Sequence, residues 1–238
     1  MSAGSSVLLL GTEAPEVEIL RTALDADLLP LPPDPTSPTR TRGETRPSGG
    51  TYPPEFDESA VEWPWAEELE RWRVAAGAGP AVDTVVVAAW VDSPARALPL
   101  DTLGLDAWVA RGELPLARWF AALGAAVRRC ADGGAVVAVV ERPAPLDCAG
   151  WAPETGVADA VEAMVRSLAR SEGGRGVRVN AVTTPVRLVD GPVVDPPPPL
   201  SSFPGTVEVE VAGAVRMLLG DDAAGVTGTV LDAGCGRS

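Results

Sequence analysis

The chain has 238 residues, of which 46% are hydrophobic, and a formal net charge of −14. This length and composition suffice for one domain with a sizeable core. The acidic balance argues against nucleic-acid binding, which depends on basic side chains that neutralise phosphates. No apolar stretch approaches the roughly 20 residues that a membrane span requires, and the run at residues 7–10 is too short for a signal peptide. Three widely spaced cysteines favour a reducing compartment, so we expect a cytoplasmic protein.

Several residue types that commonly carry catalysis are missing or rare. The sequence contains no histidine and no lysine, so all 19 basic residues are arginine, and Tyr52 is its single tyrosine. A Ser-His-Asp or Cys-His unit, a Schiff base and a P-loop lysine are therefore excluded. No carboxylate cluster indicates a metal site either. Abundant Ala, Gly, Pro and Arg are also typical of a GC-rich genome, which would replace surface lysines without functional cause.

Short Val-rich runs alternate with helical patterns along the chain. The runs, at residues 6–10, 84–89, 135–140, 177–182 and 229–233, are typical of parallel strands buried on both faces. Three apolar stripes at helical spacing lie between them: Leu116, Phe120, Leu123 and Val127; Val157, Val161, Met164, Val165 and Leu168; and Val211, Val215, Leu218 and Leu219. This alternation predicts an α/β fold with a doubly wound, Rossmann-like parallel sheet. We expect one domain over residues 1–238, with long irregular loops near 30–54 and 183–206.

Five segments, four of them in the second half of the chain, carry a resemblance to a known family. They are Gly-Val-Arg-Val-Asn-Ala-Val at 176–182 followed by Pro185, the helical segment 210–219, the turn and strand at 221–231, the strand approach at 79–87, and the helical segment 161–170. In this order and spacing they resemble the short-chain dehydrogenase/reductase family over most of residues 79–236. The resemblance implies a nicotinamide dinucleotide site and a Ser/Tyr/Lys catalytic set.

The cofactor loop departs from the pattern that the resemblance implies. The family's first turn needs three glycines, for a tight turn and for close approach of the pyrophosphate. Gly11 matches the first glycine, but Pro15 and Val17 stand in the places of the other two. Glu16 adds a negative charge at this helix start, where it could simply stabilise the helix N-terminus or could repel a phosphate. We therefore expect no bound dinucleotide, and no other cofactor is indicated.

The catalytic positions depart from the family as well. The resemblance places Glu141 at the serine, Glu154 at the tyrosine, Ala158 at the lysine and Pro115 at the structural asparagine. Trp90 replaces a glycine that would border the cofactor, either to pack in the core or to fill the vacated cleft. No residue of the catalytic set is retained.

Two interpretations of Glu141 and Glu154 are open. The simpler one places both in solvent on relaxed loops, because prolines surround them. In the other, the paired carboxylates share a cleft, separate their pKa values and perform acid/base chemistry without a cofactor. A dehydratase, cyclase or isomerase would suit the second interpretation.

The first functional hypothesis is a non-catalytic subunit. It would assemble with an active paralogue, or with itself as a dimer or tetramer, and support a ketoreductase-like complex of bacterial secondary metabolism. The alternatives are the cofactor-independent enzyme and a small-molecule binder that uses the emptied cleft. The interface candidates lie on the retained helices: Leu116, Phe120, Leu123, Val161, Val165, Leu168 and Val215.

Overall fold

A computed structural model describes residues 7–32, 64–91, 96–144, 148–188 and 205–234. Within them, one parallel sheet has the order β2-β1-β3-β4-β5-β6. Its strands are β1 (Val7–Gly11), β2 (Ala26–Pro30), β3 (Val82–Ala88), β4 (Cys130–Glu141), β5 (Arg178–Thr184) and β6 (Val230–Asp232). The α-helices are α1 (Pro15–Leu24), α2 (Pro64–Gly77), α3 (Leu105–Trp108), α4 (Leu114–Arg129), α5 (Ala152–Ser171) and α6 (Ala212–Leu219). The predicted doubly wound α/β sheet is confirmed, and no helix in these residues is long and apolar enough to cross a membrane.

The central strands have the composition that two-sided burial requires. Val85, Val137 and Val179, one from each of β3, β4 and β5, are completely buried. Strands covered by helices on both faces cannot alternate polar and apolar residues, so they appear in the sequence as continuous Val-rich runs. These runs therefore predict the middle of the sheet.

The edge strand β2 is not predicted by the sequence. It is short and largely exposed, and it contains Asp27 and the partly exposed Leu28. The loop predictions are also partly wrong, because Pro30 ends β2, and Thr183 and Thr184 belong to β5. The parts of those loops at 33–54 and 189–204 lie outside the described residues.

The helical stripes are confirmed as helices, but most of the interface candidates prove to be core residues. Leu116 and Leu168 are half-buried against the core, whereas Phe120 is 63% exposed. The other four candidates are completely buried: Leu123, Val161, Val165 and Val215. Assigning these four to an interface was wrong, because the apolar face of a helix first covers its own sheet.

Candidate functional site

The candidate site lies outside the carboxyl ends of the central strands. The chain leaves β1 toward β2 on one side and returns to β3 on the other, so the order of the sheet reverses between β1 and β3. In doubly wound folds, ligands bind in the crevice at such a reversal. Gly11, Ala88, Glu141 and Thr184 end β1, β3, β4 and β5 at this edge.

The first turn after β1 is tightly filled. Val17 is completely buried, and a Cβ placed on Gly11 would lie 2.5 Å from its Cγ1 atom. Helix α1 begins at Pro15, a favourable first helical residue because its missing N–H needs no partner there. In a turn with the family's glycine pattern, the space next to the turn contains no side chain. Here the isopropyl group of Val17 occupies that space.

Arg187 fills the crevice from the turn after β5. Its side chain is only 2% exposed, and its Nε and Nη1 atoms each lie 3.1 Å from a carboxylate oxygen, of Glu16 and Glu141 respectively. Its Nη2 donates to the carbonyl of Val91 at 2.8 Å. The guanidinium also lies 5.5 Å from the ring centroid of Trp90, within the range of a cation–π contact. We call these four side chains, Arg187, Glu16, Glu141 and Trp90, the Arg187 cluster.

Trp90 packs in the core, which is one of the two roles that the sequence left open. Its indole is buried, and Nε1 donates to the carbonyl of Val139 in β4 at 2.7 Å. The ring therefore packs into the core next to β4 while one of its sides supports the guanidinium of Arg187.

Glu141 is an unusual carboxyl group. Burial raises its pKa from the ordinary value of 4.5 to about 7, with the nearby charges of Glu16 and Glu154 acting in the same direction. The positive charge of Arg187 opposes this shift without cancelling it. Glu141 consequently changes its protonation state close to neutral pH.

Glu154 is held by a second buried arginine. It lies in the first turn of α5 and accepts two hydrogen bonds from Arg111, from Nε at 2.7 Å and from Nη2 at 2.8 Å. Arg111 belongs to the π-helical turn Val109–Glu113 before α4, and its guanidinium lies 5.8 Å from the ring centroid of Trp151. Such a bidentate pair fixes the position of the carboxylate.

The interpretation of Glu141 and Glu154 as solvated loop residues is wrong. The Glu141 side chain, at the end of β4, is 13% exposed and that of Glu154, in α5, is 15% exposed. Each is buried because an arginine distant in sequence supplies its counter-charge. The sequence does not reveal Arg111 and Arg187 as partners of these glutamates, since no spacing links either arginine to its glutamate.

The other two positions at which the resemblance implies family residues are apolar and buried. Ala158 is completely buried in α5, so the position that the resemblance assigns to a lysine holds only a methyl group. Pro115 is buried at the start of α4 and borders the site. Neither side chain can donate or accept a proton.

A small cavity lies between the two ion-paired glutamates. Arg111, Glu141 and Glu154 line it together with apolar groups that include Trp119 and Val157, and its volume is about 40 Å³. This is room for about three water molecules. Among the described residues, no group of three potential ligands could hold a metal ion.

Comparison with known proteins places the fold. No protein-family profile matches the chain, and no curated protein sequence matches it. Among solved structures, a blue fluorescent protein from a metagenomic library in complex with NADPH is similar at 21% identity, with full coverage of both chains and a TM-score of 0.65. A short-chain dehydrogenase/reductase from Serratia marcescens has 19% identity over 98% of this chain and 99% of its own, with a TM-score of 0.61.

A third similar structure is a short-chain dehydrogenase/reductase described as glucose/ribitol dehydrogenase, from Brucella melitensis. It has 15% identity over 98% of this chain and 97% of its own, with a TM-score of 0.66. At these identities the similarity establishes the architecture. The chain has the short-chain dehydrogenase/reductase fold, as the sequence segments predicted.

The pKa of Glu141 predicts how stability depends on pH. Because the folded state binds a proton that an unfolded chain releases near pH 4.5, stability should fall as pH rises from about 4.5 to 7. Relative to Glu141→Gln, the wild type should lose up to about 3 kcal/mol of unfolding free energy between pH 4.5 and 8. Urea denaturation of both proteins across this range measures the difference.

Glu208→Gln, which replaces an exposed glutamate of the same chain, is the control. A difference between wild type and Glu141→Gln that grows in favour of the wild type with rising pH would show that Arg187 holds Glu141 ionised. That result would contradict the raised pKa.

Proposed function

We propose that this chain is a catalytically inactive member of the short-chain dehydrogenase/reductase family, a pseudoenzyme. In this proposal it assembles with an active relative and supports a heteromeric, ketoreductase-like oxidoreductase. The observation that carries the proposal is the position of Arg187, buried between Glu16 and Glu141 in the crevice of the sheet.

The Arg187 cluster opposes dinucleotide binding energetically. A nucleotide in the crevice would have to displace a guanidinium that two carboxylates and a backbone carbonyl hold. Separating such a buried pair leaves uncompensated charges, which costs about 3–5 kcal/mol. The pyrophosphate would also approach Glu16 at the start of α1, so like charges would repel.

The catalytic positions support the same proposal. Glu154 stands where the resemblance expects a tyrosine, and its bidentate pair with Arg111 occupies both carboxylate oxygens. Ala158, in the lysine position, cannot tune a neighbouring proton donor. The single tyrosine, Tyr52, lies outside the described residues. We therefore infer that hydride and proton transfer take place on a partner chain.

The surface proposed for the partner is the outer side of α4 and α5. Phe120 on α4 is exposed, as are Gly156 and Ala163 on α5. Small residues on a helix allow another helix to approach closely, and an exposed aromatic ring favours burial. This set replaces the completely buried candidates.

The fold supports the choice of partner in this proposal, and the composition supports the choice of setting. Solved proteins with this fold include one in complex with NADPH and others described as dehydrogenase/reductases, so an active relative could supply what this chain lacks. A homodimer is the simpler assembly, but a heteromer explains why an inactive fold would be retained. We place the complex in the cytoplasm of a bacterium, in secondary metabolism, on the basis of composition.

A second candidate function is a cofactor-independent acid/base enzyme. It is favoured by one observation: Glu141, with a pKa of about 7, lines the same cavity as Glu154. A carboxyl group that titrates near neutral pH is suited to general acid/base catalysis. Against this candidate, Arg111 donates hydrogen bonds to both oxygens of Glu154, so this carboxylate is already engaged.

We expect no specific binding of NADH or NADPH by this chain alone, because Arg187 and Val17 occupy the crevice and the first turn. Titration calorimetry at high protein concentration should show only the heat of dilution. The blue fluorescent protein that binds NADPH serves as a positive control. A saturable micromolar site on this chain would refute the inactive-subunit proposal.

Phe120→Glu should dissociate the assembly without unfolding the chain, because Phe120 is exposed in the monomer but would be buried by a partner. The expected loss of affinity is at least about 100-fold, since an unpaired charge would be buried. Native mass spectrometry after co-expression with paralogues measures it. Val74→Glu, at an exposed apolar position on α2, is the matched control and should still assemble.

If Phe120→Glu and Val74→Glu assemble equally well with every paralogue that binds the wild type, this surface is not the interface. A wild-type chain that stays monomeric with every paralogue would remove the subunit proposal itself.

Glu141→Gln combined with Glu154→Gln should leave the turnover of the assembled complex within a few-fold of wild type, because the proposed chemistry belongs to the partner. Steady-state kinetics of the purified complex measures this. Single Glu141→Gln and exposed Glu208→Gln complexes are the controls. A loss of about 100-fold or more, typical of removing a general acid or base, would favour the acid/base enzyme instead.

A further inference from the structure

Arg111 has hydrogen-bonding capacity that the described residues do not use. Its Nε and Nη2 atoms are held by Glu154, whereas Nη1 is buried and has no hydrogen-bond partner. The side chain as a whole is 10% exposed. A buried cationic donor without an acceptor is costly, and an anionic oxygen is its best complement.

The cavity that Arg111 lines has a definite size and character. Its walls include the apolar side chains of Trp119 and Val157, and its volume of about 40 Å³ suits a molecule of roughly three to five non-hydrogen atoms. Glu141 contributes the second polar group beside the Arg111–Glu154 pair. A ligand there would need a polar end for these groups and a very short apolar remainder.

The charges around Glu141 determine which polar group of a ligand the cavity favours. Arg187 faces Glu141 from the turn after β5, Glu16 from α1 and Glu154 from α5, while Arg111 lines the same cavity. Three carboxylates and two guanidinium groups leave one surplus negative charge. Protonation of Glu141 makes the group neutral and turns this carboxyl into a hydrogen-bond donor.

We propose that this cavity is a binding site for a small monocarboxylate of about the size of acetate or propionate. One ligand oxygen accepts a hydrogen bond from Nη1 of Arg111, and the other accepts one from the protonated carboxyl of Glu141. The methyl or ethyl group packs against Trp119 and Val157. The site does not depend on whether the chain assembles with a partner.

Competing ligand classes fit this cavity less well. A small ammonium ion offers no acceptor to Arg111, and an uncharged amide forms a weaker bond with a guanidinium than a carboxylate does. Benzoate and longer fatty acids exceed the volume. Binding should weaken about tenfold for each pH unit above 7, because Glu141 must take up a proton when the ligand binds.

The experiment is a two-dimensional NMR titration of the full ¹⁵N-labelled chain with sodium acetate, at constant ionic strength maintained with sodium chloride. At pH 6 we expect saturable chemical-shift changes with a Kd on the order of 1 mM. At pH 8.5 we expect the affinity for acetate to be at least about tenfold weaker. Arg111→Lys should abolish the saturable shifts, whereas Arg166→Lys, on an exposed side chain of α5, should keep them.

Two further variants keep the test informative if Arg111→Lys unfolds. Val157→Leu retains the Arg111–Glu154 pair but fills the cavity, so acetate binding should be lost. Glu141→Gln still presents a donor without titrating, so binding should become independent of pH. Equal shifts with ethylammonium chloride, or acetate binding unchanged in Arg111→Lys and Val157→Leu, would overturn the proposal.

Discussion

The buried guanidinium of Arg187 and the carboxylates on either side of it constrain the whole functional edge of the sheet. Glu16 belongs to α1 and Glu141 ends β4, while Arg187 itself follows β5. None of these charges would be stable there alone, because an unpaired ion in a protein interior costs several kcal/mol. The contact of Trp90 with Arg187 adds the segment after β3 to the same cluster. Arg187 thereby connects α1, the end of β4 and the segment after β3, which in this fold would otherwise border an open crevice.

Burial and the charges around this arginine together set the chemistry of the neighbouring cavity. Burial raises the pKa of Glu141 to about 7, the charges of Glu16 and Glu154 act in the same direction, and the guanidinium of Arg187 opposes them. Glu141 shares its arginine with Glu16, whereas Glu154 has a counter-ion of its own, because Arg111 donates two hydrogen bonds to it.

The sequence predicts the scaffold well because the scaffold follows periodicity. Val-rich runs identify β3, β4 and β5, since burial on both faces leaves no alternative composition, while the exposed edge strand β2 carries no such signal. The departures at the first turn are also readable in the sequence, because Pro15 and Val17 stand where the resemblance implies glycines. The sequence could not reveal that Glu141 is buried, because the burial depends on Arg187, 46 positions away. The sequence also led us to expect Val161 at a partner surface. An amphipathic stripe shows that one face of a helix is covered, but it does not show whether the sheet or a partner covers that face.

We propose that the side chain of Arg187 closes the crevice outside β1 and β3 to nucleotides, and a crystal structure grown in the presence of excess NADPH tests this proposal most directly. We predict electron density for the guanidinium between the carboxylates of Glu16 and Glu141, with its Nη2 atom on the carbonyl of Val91. The crevice outside β1 and β3 should contain no nucleotide. Density for a dinucleotide along the turn at Gly11, with Arg187 displaced from both glutamates, would contradict the account.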